Sequence, residues 1–449
     1  MMKWYNDTSL HSSAVFPTLA PIPHPDPPSQ QAASLSTTAS ASPRAFAALH
    51  HPGYRIYFVT NALAMMADSI EHVISYWMMH EKFASPELAG FAVISHWVPF
   101  LLFSVWSGAL ADRFDPRRLV QIGMLLFIGA SLGWAYFLVT DTLQMWHAMA
   151  LLVLHGFAGV FWAPPSQVLI HDVVGGELLQ SAVRLNATAR WLGLLAGPAV
   201  GAGFLLVLGP VWGLVANALF YLPLLLWLWK APYGPKFRKG VQVPPRAVRG
   251  IADIVQTIRD IAGNRTVASM TLLAGGASLF IGNAYQAQMP AFASDLGQVD
   301  ADFSYSALLA ADAAGALLAG VLLESRGLLQ PQVRTAFTLA MLWCLAIAGF
   351  ALANVFPLAL VLLFVAGFVE LAFSAMAQTL VQINAPPAIR GRVIGLFSMS
   401  SLGLRAFAGV TVGLLGGAIG IHWSLALSAL ALLVLAAAML AWQRASARA

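Results

Sequence analysis

The chain carries little charge and almost no cysteine for its length. Only 10% of its 449 residues are charged, against roughly a quarter in soluble domains, so a water-soluble fold of this size is excluded. The single cysteine, Cys344, lies in an apolar run, which rules out an internal disulfide and a thiolate metal cluster. The five lysines are followed by Trp, Phe, Ala, Phe and Gly, so none completes the phosphate-cradling loop of an ATP-driven pump. No segment of enzymatic size interrupts the apolar runs, and no span carries two histidines at metal-ligand spacing. An enzyme, a resident metal and a bound cofactor are therefore not expected. Residues 1–50, rich in Pro, Ser, Ala and Thr, lack the basic start and apolar core of a secretory signal and are expected to form a disordered cytoplasmic tail.

What is present is apolar sequence, 59% hydrophobic with a mean hydropathy of +0.74. A bilayer core requires about 20 mostly apolar residues per helix. Twelve runs meet that requirement, near 54–80, 88–111, 118–140, 145–170, 183–208, 211–229, 266–292, 304–323, 333–353, 356–383, 393–419 and 422–442. The expected architecture is an all-α membrane protein of twelve helices in two pseudo-symmetric six-helix bundles, residues 51–230 and 266–443. A cytoplasmic linker, 231–265, joins them, and a short tail, 444–449, follows. Within the linker, Val248 to Ala262 has the spacing of an amphipathic surface helix, with Ile251, Ile254, Val255 and Ile258 on one side.

Lysine and arginine set the orientation. Of the 24, assignment by loop puts 22 on one side, including Arg184 and Arg190, with Lys82 opposite and Arg405 inside a span. That bias predicts both termini in the cytoplasm. The net charge of +5 is spread over short loops, so nucleic acid is not an expected partner. Membrane lipid, protons and a small-molecule substrate are, with the chain acting as a monomer.

The two halves repeat. Gly108-x-Leu110-x-Asp112 recurs as Gly320-x-Leu322-x-Glu324 at an offset of 212 residues. Gly197 and Gly201 recur as Gly409 and Gly413 at the same offset, and Gly156-Phe157 recurs as Gly367-Phe368 at 211. Transporters built of two such halves place the substrate path between them near the midplane.

The stretch Gly108 to Arg118, GALADRFDPRR, resembles the loop signature of the major facilitator superfamily. Gly108, Leu110, Asp112, Arg113, Arg117 and Arg118 match it, while Asp115 and Pro116 depart from it. The resemblance implies secondary transport by alternating access. It also implies a cytoplasmic latch in which Asp112 faces the start of span eleven, where a helix N-terminus offers partial positive charge. Span five reads RWLGLLAGPAVG. Arg190, Gly193, Gly197, Pro198 and Gly201 resemble the motif of the superfamily's proton-coupled drug and siderophore exporters, with Ala202 in place of the last glycine. The four-residue spacing of the glycines suits close helix packing, and Pro198 is expected to bend the helix. Asn186 and Arg390-Gly391-Arg392 add to the likeness.

Ionisable groups inside a span are costly, and so point to function. Asp68 and Glu71 share a face of span one with His72; Asp312 lies in span eight, Glu370 in span ten and Arg405 halfway along span eleven. The four acids are the candidate proton carriers, Asp68 and Glu71 first. Two readings of that pair stay open, proton coupling or a permanent ion pair with Arg405. Arg405, His72, Asn283, Tyr285, Gln286 and Gln378 are candidates for the substrate path, with Gln288 beside them. His96 and His155 read more simply as hydrogen-bonded packing residues, and Trp97, Trp162 and Trp191 as path residues or interfacial anchors. The functional expectation is a proton-coupled exporter of small amphiphilic molecules, drugs or siderophore-like compounds, driven by the proton gradient in a bacterial plasma membrane. An uptake symporter and a non-transporting sensor on the same fold are the alternatives.

Overall fold

Long runs of Leu, Ala, Val and Phe with few breakers form helices throughout a computed structural model, and no strand occurs among the described residues. The structure describes residues 45–83, 86–234, 250–282, 284–296, 301–408, 416 and 419–446. The helices are α1 (Pro52–Phe83), α2 (Pro86–Arg113), α3 (Pro116–Val139), α4 (Met145–Val174), α5 (Leu179–Lys230), α6 (Ile251–Ile261), α7 (Arg265–Phe280), α8 (Ala284–Ala287), α9 (Met289–Asp295), α10 (Ala301–Ser325), α11 (Val333–Ala351), α12 (Phe356–Asn384), α13 (Arg390–Ser401) and α14 (Ile421–Ser446).

Eight of these are long and apolar enough to cross a bilayer. One of them, α5, holds 52 residues, about 78 Å of helix and enough to cross twice. Its backbone leaves helical geometry at Gly209 (φ 74°, ψ 170°), whereas Pro198 sits within helical backbone. The reversal between spans five and six thus falls at a glycine able to take positive φ, and the bend expected at Pro198 is not where the chain turns. The 32-residue α1 is long enough but carries Asp68 and Glu71. Span seven is interrupted after Phe280 and resumes as α8 and α9, and span eleven runs from α13 into a 3₁₀ turn, Gly403–Phe407. Arg405 therefore sits in an irregular turn rather than in mid-helix. With these, each of the twelve expected runs holds helix among the described residues, while residues 409–415, 417 and 418 of span eleven lie outside them.

Two groups of helices build separate cores. Trp134, Phe127, Tyr221, Ile70 and their neighbours fill the first, from α1 to α5; Phe337, Trp343, Phe350 and Phe373 anchor the second, from α7 to α14. The groups meet where α2 crosses α13 and where α5 crosses α10 and α12. The end of the expected tail is packed: Ala47–His50 forms a 3₁₀ turn and the Ala48 N–H donates to Ser181 Oγ at 2.9 Å. In the linker, α6 turns Ile254 onto the second core and leaves Val255 and Ile258 exposed.

Candidate functional site

Two polar clusters lie inside the helix groups. In the first, α1 supplies Asp68, Glu71 and His72, α2 supplies His96, and α4 supplies His155. Close approach of α4 to α2 depends on Gly156, where a Cβ would overlap the Ser95 carbonyl oxygen. His155 bridges the acids, with Nδ1 at 2.8 Å from Glu71 Oε1 and Nε2 at 2.9 Å from Asp68 Oδ1. Glu71 is nearly fully buried and also accepts from Ser131 Oγ, which in turn accepts from Asn217 Nδ2 at 3.2 Å. His72 Nδ1 lies 2.6 Å from the Asp68 carbonyl oxygen and its Nε2 lies 3.2 Å from His96 Nδ1. The Phe127 ring closes the cluster edge-on to His155 at 4.8 Å. His72, Ser75, Tyr76, Ala92, His96 and His155 line a small cavity beside the cluster.

The partners of Asp68 and Glu71 are thus histidine and serine, and neither acid pairs with Arg405. His96 and His155, read from sequence as packing residues, are integral members of the cluster. The three imidazoles of His72, His96 and His155 offer ligand atoms within 4.8 Å of one another. The expectation of no metal rested on spacing within single spans, which cannot reveal ligands brought together from three different helices.

The second cluster uses the corresponding helices of the repeat. Asp312 on α10 is buried; its Oδ2 accepts from Tyr285 Oη at 2.9 Å and from Gln286 Nε2 at 3.2 Å. Gly367 on α12 allows the approach, since a Cβ there would overlap the Asp312 carbonyl oxygen. Glu370, one turn further along α12, faces Asp312. Asp312 Oδ1 and Glu370 Oε2 are buried without a hydrogen-bond partner among the described residues. Two guanidinium groups, of Arg405 and Arg190, face Glu370. The Arg405 guanidinium also lies over the Trp97 ring, 5.2 Å from its centroid.

Arg190 corrects the loop assignment. It lies eleven residues into α5, about 16 Å along the helix, and interacts electrostatically with Glu370 and, less strongly, with Asp68. Arg184 is also within α5, buried, donating to the carbonyls of Leu323, Leu328 and Leu329. Gln378 is half-buried two turns beyond Glu370, and Asn283 lies outside the described residues. Trp162 is buried and donates to Asn61 Oδ1 at 3.0 Å, while Trp191 packs against the second core; neither is an interfacial anchor.

At the basic end, α2 and α13 touch backbone to backbone. A Cβ at Gly108 would overlap the Gly391 carbonyl oxygen, and one at Gly391 would overlap that of Gly108. Asp112 accepts from the Gly391 N–H at 2.5 Å and the Arg392 N–H at 2.9 Å, capping α13 from another helix. Arg392, almost fully buried, reaches Asp253 Oδ1 of α6 at 3.2 Å. Arg113 and Arg118 are exposed, the first over Phe114 and the second over Trp229. Arg117 is held by Asp115 at 2.5 Å and donates to the Ala231 carbonyl. Asp115, where the chain departs from the family signature, accepts from the Arg117 N–H at 3.0 Å as the N-cap of α3. The repeat counterpart Glu324 accepts from Ser181 Oγ at the start of α5. In span five the glycines pack on α1: Gly193 against Met65 and Met66, Gly197 against Ser69, Gly201 against Ile70 and Val73.

Comparison with known proteins agrees with this architecture. The sequence matches the profile described as Major Facilitator Superfamily over residues 56–409. It is 25% identical over 382 residues to the enterobactin exporter EntS of Shigella boydii serotype 4 (strain Sb227), covering 82% of this chain and 86% of that protein. The EntS of Escherichia coli O1:K1 / APEC is 24% identical over 380 residues, with the same coverage. Among solved structures, the human organic anion transporter MFSD10 (TETRAN) superposes with a TM-score of 0.71 at 14% identity, over 87% of this chain and 99% of that one. A bacterial homologue of the iron transporter ferroportin, in an outward-facing state, gives 0.67 at 15% identity over the same shares. These two likenesses establish the fold.

Proposed function

The chain belongs to the major facilitator superfamily of transporters, and from that premise we propose that it is a proton-coupled exporter of small, siderophore-like amphiphiles. We place it in a bacterial inner membrane as a monomer with both termini in the cytoplasm, so that the Asp112 end is the cytoplasmic one. The observation that carries the reading is the state of the second cluster, where Asp312 Oδ1 and Glu370 Oε2 are buried without a donor among the described residues beside the guanidinium groups of Arg190 and Arg405.

A buried carboxyl oxygen must be satisfied, either by a proton on its own group or by a donor from a bound molecule. Proton and cargo are then alternative occupants of the same oxygens, and alternative occupancy is what antiport requires. Arg190, beside Glu370, and Arg405, held over Trp97, suit a cargo that has acidic or carbonyl groups as well as hydroxyl or amide donors and an apolar body. The 25% identity to the enterobactin exporter EntS supports the direction and the class of cargo. Closure of α2 on α13 at Asp112 fits a state shut on that side in an alternating-access cycle.

The test is cargo-dependent proton movement in liposomes holding the purified protein, read by a lumenal pH dye with a panel of siderophore-like, neutral and cationic amphiphiles. A pH change produced by siderophore-like compounds and lost in Glu370→Gln is expected. Efflux indifferent to a pH gradient would overturn the coupling, and proton movement with only cationic compounds would overturn the class of cargo.

A further inference from the structure

The first cluster holds a second chemistry. His72 Nδ1 faces a backbone carbonyl oxygen, that of Asp68, at 2.6 Å. A carbonyl can only accept, so Nδ1 carries the proton, and in the neutral ring Nε2 presents its lone pair. That lone pair points at His96 Nδ1, 3.2 Å away. Two imidazole nitrogens on one tetrahedral ion, each at about 2.0–2.1 Å, sit roughly 3.3 Å apart, so this pair already has the separation that a shared ion needs. The third ring, His155, is edge-on to His72 with its centroid 4.6 Å away. Glu71 holds its Nδ1 at 2.8 Å, and Asp68 Oδ1 lies 2.9 Å from its Nε2.

We propose that His72, His96, His155 and Asp68 form a binding site for one divalent first-row transition-metal ion, entered from the cavity beside Tyr76. Three imidazoles and one carboxylate make a nitrogen-rich borderline set that suits Zn²⁺ and excludes Mg²⁺ and Ca²⁺, which take oxygen ligands. The supporting contacts are those that metal-binding histidines ordinarily have: a carbonyl on the far nitrogen of His72 and a carboxylate on the far nitrogen of His155. Glu71 is itself fixed by Ser131, so His155 stays anchored at Nδ1, while the proton that Nε2 shares with Asp68 is released to water as the ion takes its place. Asp68 and Glu71 offset the charge of a divalent cation in a region where an unpaired charge is costly. Closing the third ligand requires the widest separation, within 4.8 Å now, to shorten by up to about 1.5 Å. The assignment goes beyond the transport reading: it concerns residues of the first helix group alone and needs no gradient and no cargo.

The experiment uses the full-length protein in detergent, stripped of metal and of any histidine tag, and titrated with Zn²⁺ against a chromogenic chelator. The expected result is one ion per chain, bound at least about tenfold more weakly in His72→Gln and in His96→Gln. X-ray absorption of the loaded wild type, which depends on no variant folding, is expected to show a shell dominated by imidazole nitrogen. Absence of saturable binding, variants that bind as wild type does, or a shell of carboxylate oxygen without imidazole would each overturn the site.

Discussion

The two polar clusters occupy equivalent places in the repeat and have opposite character. Each draws on the first, second and fourth crossings of its half: Asp68, Glu71 and His72 with His96 and His155 in one, Tyr285 and Gln286 with Asp312 and Glu370 in the other. The first is internally saturated, every acid having an imidazole or hydroxyl partner. Among the described residues the second leaves two carboxyl oxygens without a donor and brings two guanidinium groups near one acid. One scaffold thus offers a closed coordination-like site on one side and an unsatisfied exchange site on the other. The difference follows from which side chains occupy equivalent positions, since the backbone approach that permits both is a glycine at equivalent places, Gly156 and Gly367.

The largest effect expected from breaking this asymmetry is on Glu370. Glu370→Gln keeps the volume and a hydrogen-bonding head but cannot exchange a proton. Gradient-driven efflux is expected to fall to the level of protein-free liposomes, while Zn²⁺ binding at the first cluster is unchanged. Equal loss of both would mean that the clusters act as one unit. Next is Glu71→Gln, which removes a buried charge held by His155 and Ser131. Removing one partner from a buried pair costs about 3–5 kcal/mol, so this variant should melt well below wild type in detergent. An unchanged melting temperature would show that the first cluster is not a structural anchor.

Much of the fold was legible because it depends on one-dimensional signals. Twelve apolar runs of bilayer length and repeated glycines at 211–212 residues report on the solvent of each segment and on the pairing of helices. Acids on a shared face were legible for the same reason, since Asp68, Glu71 and His72 follow helical spacing. Their partners were not. His155 lies 84 residues from Glu71, and nothing local in α4 marks it beyond the cost of placing an imidazole in a membrane. Arg190 was misplaced because the loop assignment reads basic residues as topology signals even within the expected span 183–208, whereas α5, starting at Leu179, holds Arg190 well inside the helix. Arg405 sits in a 3₁₀ turn because span eleven loses regular geometry there, which apolar composition does not reveal.

A smaller effect is expected where the helix groups touch. Gly108→Ala places a Cβ onto the Gly391 carbonyl oxygen, and backbone cannot rotate away as a side chain can. Overpacking of this kind costs about 1–3 kcal/mol, and it falls on the state in which α2 and α13 are in contact. Fluorophores on exposed Arg113 and half-buried Arg390, each replaced by cysteine in a chain with Cys344→Ser, should report a greater mean separation. The mirror substitution, Gly320→Ala, meets the Thr188 side chain, which can turn aside, so its effect should be weaker. Equal separations in the two variants would remove the distinction.

The finest distinction between the halves is between the repeat-related acids Asp112 and Glu324. Asp112 accepts two backbone N–H groups from the first turn of α13, so both of its oxygens are used and its charge meets the positive end of a helix dipole. Asn offers one acceptor and turns an amide donor toward the other N–H, losing a bond and the charge together, a change worth about 1 kcal/mol. Glu324 instead accepts from the Ser181 hydroxyl, and its second oxygen lies 4.0 Å from Arg184, whose guanidinium already donates to three carbonyls. A Gln amide oxygen can accept from Ser181 equally well. Asp112→Asn is therefore expected to slow exchange about fivefold by shifting the balance of states, while cargo affinity measured at equilibrium stays close to wild type; Glu324→Gln is expected to leave both nearly unchanged. If the two variants slowed exchange alike, the capping bond would not be what separates the halves, and the charge shared by both acids would be the operative property.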